Sequence, residues 1–98
     1  MIVKTHKTEN GQLILAVCDK DILGKKFVDN DLQLDLSSNF YKGKEMSEDE
    51  IKNLFRAAYI INIAGKKSVA LALKEGLINE NKILFIKNIP HAQILMES

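Results

Sequence analysis

Gly65-Lys66-Lys67-Ser68 brings two ammonium groups, a hydroxyl and the N–H groups of a helix start within four residues. Such a stretch suits phosphate or another anion, because free N–H groups and the positive end of a helix dipole attract negative charge. It is not a P-loop, which would need a glycine five residues before Gly65, where Ile60 stands. Its plainer reading is a solvated basic turn. Lys25-Lys26 with Phe27, and Tyr41-Lys42-Gly43-Lys44, set cations beside aromatic rings. Single-stranded nucleic acids are held this way, with lysines on phosphates and rings under bases. Neither stretch carries a named RNA-binding signature, and scattered surface lysines are the plainer account. Lys25, Lys26, Tyr41, Lys42, Lys44, Lys66, Lys67 and Ser68 are the candidate anion or RNA site.

His91, beside Pro90, can act as acid, base or ligand near neutral pH, although a loop histidine more often hydrogen-bonds a backbone carbonyl. Asn62 lies in an apolar stretch, where a buried amide must find partners. Together Asn62 and His91 are the candidate lining of a small-molecule pocket. The Ile89–Pro90 bond is open to either isomer, with trans the commoner. Cys18 stands in an apolar strand and reads as a structural thiol, since a nucleophile needs a base and an electropositive setting. Cys18, His6 and His91 with Asp19 or Asp21 include zinc-ligand types but lack the close spacing of a tetrahedral site. No metal, cofactor or catalytic residue is assigned.

The 98 residues suffice for one domain, 1–98, with one core. Lys+Arg number 14 and Asp+Glu 13, a net charge of +1. Bulk charge therefore argues neither for a nucleic-acid coat protein nor for an acidic tail. The lone cysteine excludes an intrachain disulfide and fits a reducing cytosol. No apolar run reaches the roughly 20 residues of a membrane span, and no signal core opens the chain. These features predict a cytoplasmic protein with no membrane partner.

The longest expected element is a helix over Ser47–Gly65 roofing a sheet. Ser47 and Glu50 form a capping box, with Met46 and Ile51 as its hydrophobic staple. Ile51, Leu54, Phe55, Ala58 and Ile61 recur at helical spacing. Beyond Ala57 the polar face is lost, so the second half is expected to be covered on several sides, with Gly65 as its C-terminal stop. Ile2–Thr8 and Gln12–Cys18 flank Asn10-Gly11, the signature of a two-residue hairpin loop. In that register His6 faces Leu15, and Cys18 lies on the opposite side from His6. Asp19–Leu23 reads as a helical turn capped by Asp19 and stopped by Gly24. A second hairpin turns at Asn30, with Leu32, Leu34 and Leu36 on its dry face. Ser37–Lys44 is a connector, Lys66–Glu75 a second helix stopped by Gly76, and 79–81 a turn. Ile83–Ile86 is a strand, residues 88–91 a break, and Ala92–Met96 a last strand.

Four segments, AVCDKDILGKKF (16–27), LQLDLSSNFYKGKE (32–45), INIAGKKSVALALKEGLI (61–78) and IPHAQI (89–94), together resemble a family of small archaeal proteins, domain of unknown function family 424. The resemblance implies a cytosolic archaeal protein with a two-layer α/β sandwich, no assigned activity and no site residues to carry over. It also implies gene neighbourhoods that contain translation factors.

The expected fold is α+β: a two-layer sandwich with a mostly antiparallel sheet of five to six short strands, covered on one face by two helices. The expected function is a non-catalytic binding module for RNA or a ribonucleoprotein. A site around His91 and Asn62, small-molecule-binding or enzymatic, is the alternative. A homodimer or adaptor joined along an exposed strand edge is a further one.

Overall fold

The computed structural model describes residues 1–96. β1 (Ile2–Lys7) and β2 (Leu13–Cys18) do pair through Asn10-Gly11, but the loop is one residue longer than expected. The Thr8 N–H donates to Gln12 O at 2.9 Å and the Gly11 N–H to Thr8 O at 2.9 Å, while the Thr8 hydroxyl accepts the Gln12 N–H at 3.0 Å. Gly11 alone of the pair takes a positive φ, 81°. That is a three-residue loop closed by a left-handed glycine. The register slips by one, so His6 faces Ile14, Ile2 faces Cys18, and His6 and Cys18 share a face.

The chain continues through a 3-10 turn (Lys20–Ile22), a hairpin of β3 (Lys26–Asp29) and β4 (Leu32–Asp35), and the two-residue strand β5 (Lys44–Glu45). The expected long helix divides at Ala58. α1 spans Glu48–Ala57 and β6 spans Ala58–Ala64, with Ala58 already extended at φ −80°, ψ 145°. The capping box at Ser47 and Glu50 is formed, and Ile51 and Phe55 are buried as the helical stripe requires. The second half misleads because a central strand, covered on one face and half-covered on the other, is apolar at nearly every position, as a buried helix is. Its β-branched Ile60, Ile61 and Ile63 prefer extended backbone. Gly65 therefore does not stop a helix. It is the hinge from β6 into α2 (Lys66–Lys74).

After a second 3-10 turn (Glu80–Lys82) come β7 (Leu84–Ile86) and β8 (Ile89–Leu95). Pro90 lies inside β8 instead of breaking it. The β6–β8 ladder ends at Ala64–His91, just before Pro90, so no ladder donor is missed. The Ile89–Pro90 bond is trans. The break shrinks to Lys87-Asn88, with φ of 50° and 66°. Two left-handed residues in a two-residue loop match the twist of the strands and favour Asn-Gly chemistry. Asn88→Gly should therefore raise stability by roughly 0.5–1 kcal/mol, read as a higher urea midpoint.

The main sheet runs β5-β1-β2-β6-β8-β7, and only the β2–β6 pair is parallel. This is the expected α+β sandwich: α1 and α2 cover one face, over Val3, Leu15, Val17, Ile61, Ile63, Ala92 and Ile94. The opposite face carries a smaller cluster of Ile2, Cys18, Ala64 and Ile86. The β3–β4 hairpin covers it with Leu34 and Leu36, and Tyr41 packs at its side.

Candidate functional site

Asp19 follows the last residue of β2 and points at the start of α2. It does not cap the 3-10 turn that follows it. Its Oδ1 accepts the Ser68 N–H at 2.8 Å and the Ser68 hydroxyl at 2.7 Å, and its Oδ2 accepts the Lys67 N–H at 3.0 Å. Asp19 and Ser68 are both buried. The helix start that sequence offers to an external anion thus already holds a carboxylate of the chain's own. Gly65 makes this possible: a Cβ there would lie 2.6 Å from Asp19 Oδ1.

The candidate cations fall into separate places. Lys42 and Lys44 share a hollow with Val3, Lys4, Thr5, Gly43 and Met46, on the outer side of β1. Lys66 lines a groove between α2 and β7. Lys67 lines a third hollow with Asp19, Lys20, Asp21 and Glu45, which is mixed in sign. Lys25 and Lys26 stand exposed where the β3–β4 hairpin begins, and Lys26 adds to the forces that hold the Asp35 carboxyl low, after the hydrogen bonds from Ser37.

Tyr41 is not a free stacking ring. It packs into the smaller cluster, and burial, then the neighbouring Cys18, pushes its phenol up to about 12. Burial, followed by the Asp19 charge, likewise pushes the Cys18 thiol up to about 11, which keeps it protonated and unreactive. The ring that lies beside β1 instead is the half-buried Phe40. It stacks on His6 with centroids 4.5 Å apart and planes 7° apart, and its carbonyl lies 2.9 Å from His6 Nε2. Lys4 and Phe40 are functional candidates that sequence reasoning missed, and His6 was weighed there only as a metal-ligand type. The sequence signal was the alternation Lys4, His6 on a strand, which means little until the register and the connector place Phe40 over it.

Asn62 sits on β6, not on a helix, and its Oδ1 accepts the Gln93 side-chain N–H at 3.2 Å. His91 lies diagonally across on β8, on the same face. Neither lines any of the five hollows described on this surface. His91 Nδ1 is buried and has no hydrogen-bond partner among the described residues. Burial holds the ring's pKa below its ordinary value, while the backbone of Ile89 and Leu84 acts in the other direction. Among the described residues, no three His, Cys, Asp or Glu side chains gather as a metal site would need, and no helix is long and apolar enough to cross a membrane.

The chain is similar to an uncharacterized conserved protein from Methanopyrus kandleri, whose crystal structure superposes with a TM-score of 0.78 at 28% identity, covering 99% of this chain and 93% of that one. No curated protein matches. A family model described as protein of unknown function (DUF424) matches residues 6–96. Sequence and fold thus lead to one conclusion: the chain belongs to the DUF424 family.

Proposed function

We propose that this protein is a non-catalytic binding module of the cytoplasm that holds single-stranded RNA, free or in a ribonucleoprotein, along the outer edge of β1. The observation that carries this reading is the hollow in which Lys4, Lys42 and Lys44 meet with no carboxylate among its lining residues. Three ammonium groups within one short span match successive phosphates. The His6–Phe40 stack lies on the same strand and offers a base a second ring. The Glu45 carboxylate is drawn away by Lys20, whose Nζ lies 3.4 Å from it.

Fluorescence anisotropy with a labelled single-stranded RNA oligonucleotide, repeated across salt concentrations, tests this. The Lys4→Ala, Lys42→Ala, Lys44→Ala triple variant should flatten the plot of log K against log salt by about 2, since each phosphate contact on a single strand contributes roughly 0.7. No binding at low salt, or an unchanged slope in the triple variant, would remove the proposal.

A further inference from the structure

The opposite edge of the sheet is apolar. β7 ends the strand order, and among the described residues no strand pairs with its outer side. The register decides which backbone groups face outward. Pro90 has no N–H, and its carbonyl accepts the Gly65 N–H at 2.8 Å, away from β7. Phe85 lies opposite Pro90. It therefore occupies a non-hydrogen-bonded position of the β7–β8 ladder and turns its own N–H and C=O to the free edge.

The Phe85 side chain is 62% exposed, and so is that of Leu84. On the helix side, Phe85 borders a groove formed by Val69, Ala70, Leu73, Ile83 and Pro90. Lys66 and Glu80 also line that groove. Lys82 precedes the strand and Lys87 follows it, both exposed. Lys66, Lys82 and Lys87 thus stand around the groove and the ends of this strand, with Glu80 the one carboxylate lining the groove.

From this geometry we infer that β7 docks an extended acidic and apolar protein segment as an added antiparallel strand. One residue of the segment pairs both backbone groups with Phe85 and lays an apolar side chain over the groove. Antiparallel counting then sets the residue two positions earlier opposite Lys87, and the residue three positions later opposite Lys82. Lys87 opens the hairpin loop and Lys82 ends the 3-10 turn, so carboxylates at the two ends of the segment meet the lysines just beyond the strand. A second copy of this chain is the poorer occupant. Self-pairing of β7 would crowd Lys82 and Lys87 of both copies around two three-residue strands, and edge lysines are a common means of blocking such pairing. The same charges that repel a copy select a segment of opposite sign.

The blocked hexapeptide Glu-Val-Leu-Val-Thr-Glu is the probe, titrated into the isotope-labelled protein with the Phe85 amide followed by NMR. The Phe85 resonance should shift and its hydrogen exchange should slow. The same peptide with an N-methyl group on leucine should bind about tenfold more weakly, because the central N–H is lost. A peptide with lysine in place of both glutamates should also weaken about tenfold, and should regain affinity against Lys82→Glu, Lys87→Glu protein. Both substituted side chains are exposed, so the fold should tolerate them. Equal binding of the acidic and basic peptides would overturn the inference. So would a silent Phe85 amide, or sedimentation of the free protein as a dimer with that amide already protected.

Discussion

Gly65→Ala should destabilise the protein by about 3–5 kcal/mol, seen as a large fall in the urea midpoint. Two causes add. Gly65 holds φ 108° and ψ 155°, a conformation open to glycine and strained for alanine. The new methyl would also be driven into the Asp19 carboxylate, 2.6 Å from one oxygen and 2.7 Å from the other. That carboxylate cannot simply swing aside, because it satisfies two N–H groups and a hydroxyl at the start of α2. Displacing it leaves buried donors unpaired, which costs about 1–3 kcal/mol. The double variant with Asp19→Ala separates the two causes. If the clash matters, the pair should lose clearly less than the sum of the single losses. A Gly65→Ala midpoint close to that of the parent protein would show that the hinge can absorb the methyl group.

Gly43→Ala should cost about 2–4 kcal/mol. It is the second large effect, and it strikes the proposed RNA edge directly. A Cβ on Gly43 would collide with the Val3 carbonyl carbon and oxygen and come within 2.7 Å of the Lys4 nitrogen. All three are backbone atoms of a strand paired on its other side to β2, so the chain around Gly43 must lift instead. β5 would lose its pairing of Val3 with Lys44 and Ile2 with Glu45, and Met46 N–H would lose Met1 O, now 3.0 Å away. Hydrogen exchange should therefore quicken at Met46 while the β2 amides stay protected. RNA affinity should fall with it, because Lys42 and Lys44 would no longer stand beside Lys4. Unaltered exchange at Met46 would refute this account of Gly43.

Local chemistry was legible in the sequence, and long-range pairing was not. Ser47 and Glu50 announce the start of α1 because a capping box is complete within four residues. Gly76, with φ 72°, ends the helical stretch where sequence placed the stop. The end of α1 was hidden because Ala58–Ala64 is apolar but for Asn62, and periodicity cannot separate such a central strand from a buried helix. The slip in the first hairpin came from Thr8, whose hydroxyl holds Gln12 N–H and so favours the longer loop. At the candidate sites, Lys42 and Lys44 were legible as a pair because only Gly43 separates them in the chain. Lys4 joins them only through the β1–β5 contact, and Asp19 reaches Ser68 across 49 positions of sequence. Neither association has a local signature.

The parallel pairing of β2 with β6 has a kinetic consequence. The 2–18 hairpin closes a three-residue loop and can form within microseconds. The central pair must instead bring Cys18 to Ala64 with residues 19–57 looped out between the strands. Closing a loop of that size costs about 3 kcal/mol of chain entropy before any core contact offsets it. The meeting of these two strands is therefore expected to limit the rate at which this molecule folds.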